Sequence, residues 1–304
     1  MKHGDTLRSV SVIALLVCAV LVTFAQKPPV DLAGELESMA DTERAFARTA
    51  GEKGWQHAFY DFFAEDGMGF QPAPVRFREN YRKQPPPPDP LKTVLDWEPV
   101  YGDIAESADL GWLTGPFIVM DKTEQKRTPR WGFYSSVWKK QPDGTWRVAA
   151  DLGISTPPRE GALPRNQFTR APQEKSGKAK AGASASLQQA EAALAAEAKT
   201  GLAAAYAKWM LPSARLHRVG HHPFTTATAI QEYLATLPQS SSWETLHAEA
   251  AKSDNLGYSY GSYELTNDGV SAEKGYYLRV WKRNAQGEWR LVFDVTNPLP
   301  RVTN

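Results

Sequence analysis

The chain has 304 residues, enough for two ordinary domains and too many for one small module. With 42% hydrophobic and 23% charged residues, and 10 Trp, 11 Tyr and 12 Phe, it has ample apolar material for folded cores and is not a disordered chain. Lys plus Arg number 35 against 34 Asp plus Glu, and so neutral a body lacks the basic surface that a nucleic-acid partner requires.

The amino terminus reads as an address label. Lys2 and Arg8 precede an apolar run from Val10 to Ala25, which Gln26, Lys27, Pro28 and Pro29 end at once. The run is shorter than the about 20 residues that cross a bilayer, and Thr23 and Ala25 supply small residues before a cut. Residues 1–25 are therefore expected to be a cleaved signal peptide, with the protein periplasmic or secreted and without stable membrane insertion; an uncleaved anchor is the alternative. The single cysteine, Cys18, lies inside the run, so the mature chain is expected to have no disulfide, thiol nucleophile or cysteine metal site.

Residues 26–156 read as a first domain. Leu32, Leu36, Met39, Ala40 and Phe46 recur at helical spacing, and Gly51 and Gly54 break the run. A second helical stretch, Trp55 to Ala64, carries Trp55, Phe59, Phe62 and Phe63 on one face. Strand-like segments follow at Trp97–Ile104, Asp109–Met120, Trp131–Lys140 and Trp146–Ile154, the last two joined by an Asp143-Gly144 hairpin turn. Helices followed by consecutive antiparallel strands make an α+β domain in which a curved sheet wraps the helices. Gly111 and Gly115 face one side of their strand, where a missing side chain permits bending or close approach of a helix.

Residues 157–185 are rich in Pro, Lys, Gly, Ala and Ser and read as a solvated linker. Residues 186–304 repeat the first domain's order. Ser186 is a plausible N-cap for one long Ala-rich helix from Leu187 to about Leu211, ended by Pro212. Trp97, Ser107, Asp109, Leu110, Gly111, Trp112 and Gly115 match Trp243, Ser253, Asn255, Leu256, Gly257, Tyr258 and Gly261 at an offset of 146. Val137, Trp138, Lys139, Gly144, Trp146 and Asp151 match Val280, Trp281, Lys282, Gly287, Trp289 and Asp294 at 143. Two copies of one fold are implied, and they are expected to pack as an intrachain pseudo-dimer.

Gly54-Trp55, Phe62-Phe63-Ala64-Glu65-Asp66-Gly67, Trp97-Glu98-Pro99-Val100, Ala108 through Pro116, Val137 through Trp146 and Asp151-Leu152-Gly153-Ile154-Ser155 together resemble a secreted bacterial branch of the SnoaL-like, nuclear transport factor 2-like (ketosteroid isomerase-like) superfamily. The second copy resembles it more distantly, keeping Leu256-Gly257-Tyr258 and Trp281 to Asp294. The resemblance implies, for each copy, a cone of helices against a strongly curved antiparallel sheet, with a pocket between. Members of that superfamily include isomerases, dehydratases, cyclases and epoxide hydrolases as well as binding and dimerising proteins, so fold does not settle function.

Candidate residues follow from chemistry. Asp151 and Asp294 are equivalent, and a carboxylate in an apolar cone suits a general base. Strict alternation, however, puts Asp151 on the face opposite Trp146, Val148 and Leu152, where a structural task is expected. Tyr134 could donate to a ligand carbonyl, with His57, Asp61 or Asp66 as acid or base. Trp55, Phe59, Phe63, Trp97, Trp112, Tyr134 and Trp138 are candidates to line an apolar pocket. His217, His221 and His222 invite a zinc reading, but no carboxylate partner or H-E-x-x-H frame accompanies them, and no metal or cofactor is expected. The leading expectation is a protein that binds a small apolar or aromatic molecule; the alternatives are an acid–base enzyme using Asp151, Tyr134 and His57, and a structural or protein-interaction module.

Overall fold

The computed structural model describes residues 30–85, 87–122, 128–173, 176–177 and 183–300, so the expected signal peptide lies outside the described residues. The first unit opens with α1 (Leu32–Lys53), capped by Asp31, whose Oδ1 accepts the Gly34 N–H at 3.0 Å. Its apolar stripe, including Leu36, Met39 and Phe46, turns to the sheet. Gly54, at φ 92°, sets the corner into α2 (Trp55–Phe62).

That second helix stops two residues earlier than its spacing predicts. Phe63 takes an extended backbone and starts β1 (Phe63–Phe70), which β2 (Pro74–Arg76) and α3 (Phe77–Arg82) follow. The remaining strands are β3 (Thr93–Trp97), β4 (Tyr101–Ile104), β5 (Leu110–Asp121), β6 (Arg130–Lys140) and β7 (Trp146–Thr156). They pair in the order β2-β1-β7-β6-β5-β4, with β3 also on β5; β1 lies parallel to β7 and the other pairs are antiparallel. Between β3 and β4 an extra residue kinks the chain, and a Cβ on Gly115 would stand 1.8 Å from the Glu98 carbonyl oxygen. Gly111 instead admits Met39 of α1, and both roles recur at Gly261 and Gly257.

The segment read as a linker is built into the first unit over much of its length. Arg165 donates to the Trp97 carbonyl at 3.0 Å and to Glu98 at 3.2 Å, Phe168 packs on the first core, and β8 (Thr169–Arg170) pairs in parallel with β4. Its composition hid this, because two side chains and one short ladder anchor it.

The second unit comprises α4 (Ala183–Ala198), α5 (Leu202–Trp209), β9 (Met210–Arg218), α6 (Ala227–Ala235), β10 (Ser240–Ala250), β11 (Leu256–Asn267), β12 (Val270–Arg283) and β13 (Trp289–Pro298). The sheet order is β10-β11-β12-β13-β9. The single long helix expected here is two: Gly201 separates α4 from α5, Ser186 lies within α4 instead of capping it, and Pro212 falls inside β9. α4 ends at Ala198, and Gly201, at an extended φ of −172°, is the N-cap from which α5 starts in a new direction.

Each unit has its own core between helices and sheet, and a third apolar cluster lies between the sheets. There Tyr101, Trp112, Val137 and Leu152 meet Leu256, Tyr258, Leu278, Phe293 and Val295. Equivalent residues exchange contacts across it. Ser107 Oγ donates to Ser253 Oγ at 2.9 Å, the Glu106 N–H to Asn255 Oδ1 at 3.2 Å, and the Lys252 N–H to Asp109 Oδ2 at 3.2 Å. Lys282 pairs with Asp103 at 2.5 Å, and Lys139 with Glu249 at 2.7 Å. Reciprocal exchange of this kind is what a two-fold interface produces, and the arrangement is consistent with an intrachain pseudo-dimer.

Candidate functional site

One bulge decides the chemistry of the first unit. Trp138 lies opposite Val148 but Val137 opposite Ala150, so Ala149 is an extra residue in β7. Before it, Trp146 and Val148 face the unit's own core; after it, Ala150, Leu152 and Ile154 face the second unit. Asp151 and Gly153 are thereby turned inward. Strict alternation predicts the opposite face for Asp151, and that expectation is corrected by the single inserted residue.

The cavity so formed measures about 210 Å³. Glu43 and Phe46 of α1 and Phe59 of α2 form one wall, Leu95, Trp97, Phe117 and Val119 of the β3–β5 pair another, and Tyr134, Asp151 and Gly153 the floor. Phe59 reaches it by packing edge-on against Phe46, with ring centroids 4.8 Å apart. Apolar surface dominates, with three ionisable groups set into it.

Glu43 is fully engaged. Its Oε1 accepts the Trp97 Nε1–H at 2.7 Å, and its Oε2 accepts Ser136 Oγ–H at 2.6 Å and Trp138 Nε1–H at 2.8 Å. Burial raises its pKa, and these three donors offset that only in part. Asp151 accepts no hydrogen bond from any described side chain, and its carboxyl opens on the cavity. Burial, reinforced by the Glu43 carboxylate, holds its pKa well above the usual carboxylate range. The Tyr134 hydroxyl is buried without a hydrogen-bond partner among the described residues. Burial first, then Glu43 and Asp151, push its pKa well up, so it stays a phenol. An unpartnered phenol and a carboxyl whose pKa is raised thus face an apolar space side by side, an arrangement that fits an oxygen acceptor of a ligand.

The other sequence candidates lie elsewhere. His57 sits half-exposed on α2, 3.2 Å from Asp61, outside the cavity. Trp112 is in the contact between sheets, its ring 5.0 Å from Phe293. Trp138 is core and serves Glu43 through its Nε1–H, Phe63 lies behind Phe59, and Trp55 packs edge-on to Phe59 from outside. Asp66 borders a different cleft. His217 is buried against Phe133 and Phe293, with its pKa driven down to about 3 by burial and by Arg215, and His221 packs edge-on against Tyr233. Glu43 went unread in the sequence: a glutamate on the apolar stripe of α1 was the available signal.

In the second unit the same place is filled. A bulge at Val292 turns Asp294 inward as Ala149 turns Asp151. Glu191 takes the part of Glu43, accepting from Trp281 Nε1–H at 2.9 Å and from Ser259 Oγ–H. Arg279 stands at the position of Ser136 and donates to Glu191 at 2.8 Å and to Asp294 at 2.7 Å, while Arg218 pairs with Asp294 at 2.6 Å. The Arg279 guanidinium lies 4.1 Å over both the Trp243 and Tyr277 rings. Burial alone would raise the Asp294 pKa, but the two arginines outweigh it and the pKa is lowered. About 10 Å³ remains beside Tyr206 and Arg218, the least that admits one water.

No protein-family model matches the sequence, and no curated protein matches it. Among solved structures, the chain is similar to a conserved protein from Planctomyces limnophilus at 13% identity, over 38% of this chain and 96% of that one, with a TM-score of 0.32. It is also similar to an NTF-2 like protein of unknown function from Shewanella oneidensis at 12% identity, over 37% and 96%, with a TM-score of 0.32. A third is an NTF2-like protein with a cystatin-like fold from Novosphingobium aromaticivorans, at 14% identity over 38% and 80%, with a TM-score of 0.31. In both units helices precede a largely antiparallel sheet, an α+β architecture.

Proposed function

We propose that the first unit binds a small aromatic or apolar molecule carrying an oxygen acceptor, and that the second unit has exchanged this capacity for a structural role. The observation that carries the reading is the unpartnered Tyr134 hydroxyl beside the Asp151 carboxyl, both set in an apolar cavity. An apolar cavity of about 150 Å³ takes up benzene, so about 210 Å³ suits one substituted ring. The reading places both units in the nuclear transport factor 2-like superfamily, as tandem cone-shaped copies, and places the protein outside the cytoplasm by its apolar leader. No helix among the described residues is long and apolar enough to cross a membrane.

Acid–base catalysis is the weaker reading, because among the described residues no second carboxylate or imidazole is free on the same cavity to work with Asp151. Both oxygens of Glu43 are taken by donors, and His57 points elsewhere. Binding is tested by following tryptophan fluorescence, since Trp97 forms a wall of the site. An aromatic ketone should bind about 10-fold or more tighter than the hydrocarbon of the same shape, the worth of one or two buried hydrogen bonds. Tyr134→Phe should erase much of that preference while leaving hydrocarbon affinity unchanged. Equal binding of ketone and hydrocarbon, or none of either at millimolar concentration, would sink the proposal.

A further inference from the structure

The contact between the two sheets has two flanks, and the described residues cover only one of them. On the first flank, β8 runs parallel to β4: the Thr169 N–H donates to the Val100 carbonyl at 2.9 Å and the Ala171 N–H to the Gly102 carbonyl at 2.8 Å. Arg170 Nε and Gln173 Nε2 then donate to Asp103 Oδ1 at 3.2 and 2.9 Å, closing over the buried Asp103–Lys282 pair. Val100 and Ala171 pack onto the apolar cluster between the sheets.

On the second flank the repeat offset puts Leu246, Ala248 and Glu249 where Val100, Gly102 and Asp103 stand, and Lys139 where Lys282 stands. The backbone is matched as well. β3 and β4 together pass β5 with one extra residue between Trp97 and Tyr101, and β10 passes β11 with one extra residue between Thr245 and His247. Yet β10 ends its sheet, and no strand lies beyond it among the described residues. Leu246 is 51% exposed where Val100 is half-buried, and Glu249, which pairs with Lys139 at 2.7 Å and accepts the Tyr258 hydroxyl at 3.2 Å beside His247 at 3.4 Å, is still about a third open. Beside it is a cleft of about 330 Å³ bordered by Arg76, His247, Tyr258 and Tyr260.

An exposed strand edge presents a row of N–H and C=O groups that an extended segment can pair with. Here the molecule also carries the key, because its own Thr169–Gln173 occupies the equivalent edge. We infer that the outer edge of β10 is a docking site for an extended peptide of a partner protein, running parallel to the strand, with a guanidinium or carboxamide side chain that reaches Glu249. Backbone ladder supplies affinity and the carboxylate supplies selection, as Asp103 does for Arg170 and Gln173. The site is separate from the cavity of the first unit, so its success or failure leaves that proposal untouched.

The test uses the full chain and a fluorescein-labelled peptide of residues 166–173, Asn-Gln-Phe-Thr-Arg-Ala-Pro-Gln. Saturable anisotropy is expected, together with slowed amide exchange confined to residues 244–250. A peptide methylated on the Thr and Ala backbone nitrogens, which removes the two ladder donors, should bind at least 10-fold more weakly. Replacing the peptide Arg by Ala should weaken binding to the unaltered chain severalfold but change little with Glu249→Gln, because the pair is then already broken. Absence of saturation to 1 mM, equal binding of the methylated peptide, or protection falling on residues 98–104 in place of 244–250 would each overturn the inference.

Discussion

Replacing Ser136 by arginine should close the first cavity, because the second unit shows the outcome of that side chain at the same place. The second unit, with Arg279 at this position, keeps about 10 Å³ beside Tyr206, Arg218 and Trp243, where the first unit keeps about 210 Å³. Ser136 Oγ already lies 2.6 Å from Glu43, and Asp151 sits opposite it on the neighbouring strand. A guanidinium there would meet both carboxyls, as Arg279 meets Glu191 and Asp294. Steric exclusion should reduce ligand affinity more than about 100-fold, or about 2.7 kcal/mol. Overpacking costs about 1–3 kcal/mol, but two charge-assisted contacts offset much of it, so stability should change by less than about 2 kcal/mol. Ketone titration by fluorescence and urea unfolding, run on the same preparation, separate the two effects. A variant of ordinary stability that still binds the ketone within threefold of the parent would refute the assignment of the cavity.

The remaining expectations concern pH, backbone and packing. Asp151 has a raised folded pKa, so between its ordinary value of 3.8 and that raised value the folded state holds a proton that the unfolded chain has lost. Its contribution to stability is therefore fully present below pH 3.8 and declines with rising pH by up to about 1.4 kcal/mol per unit. Asp151→Asn should remove that slope and raise the urea midpoint at pH 7 relative to pH 4, and a pH profile unchanged from the parent would contradict the account. Gly115→Ala should destabilise by more than about 2 kcal/mol, since its Cβ would overlap the Glu98 carbonyl and undo the kink between β3 and β4; urea midpoints decide this. Trp112→Ala should cost about 3–5 kcal/mol, and because the side chain bridges the two sheets it should split a single unfolding transition into two, as seen by calorimetry.

Much of the architecture was legible because it rests on periodicity and glycine placement. The offsets of 146 and 143 locate the same turns in both units: Ala108 and Asp254 both sit at positive φ, 51° and 55°, just before their glycine-bearing strands. What stayed hidden depends on local exceptions to period. One inserted residue, Ala149, reverses which face Asp151 occupies, and alternation has no means of reporting a bulge. A turn at Lys199 and Thr200 and the N-cap Gly201 interrupt a run whose alanines favour helix on both sides. Phe63, though apolar and helix-spaced, belongs to a strand because its ring is needed between Phe59 and Phe77. Trp112 reads as a pocket residue but faces outward from its unit, and only the second sheet explains why so large an apolar side chain is there. Arg279 is one more arginine in a strand until its two carboxylates and two aromatic rings are seen around it.

The reciprocal contacts through Ser107 and Ser253 join two halves of one chain, where separate identical subunits would otherwise meet. In an assembly of identical subunits every substitution appears twice, and an arginine that sealed one chamber would seal its twin. Covalent joining lifts that constraint. One half can keep a hollow with an unmet hydroxyl, which is a standing penalty to stability, while the other half holds a sealed network of charges and supplies the rigid wall against which the hollow half is braced.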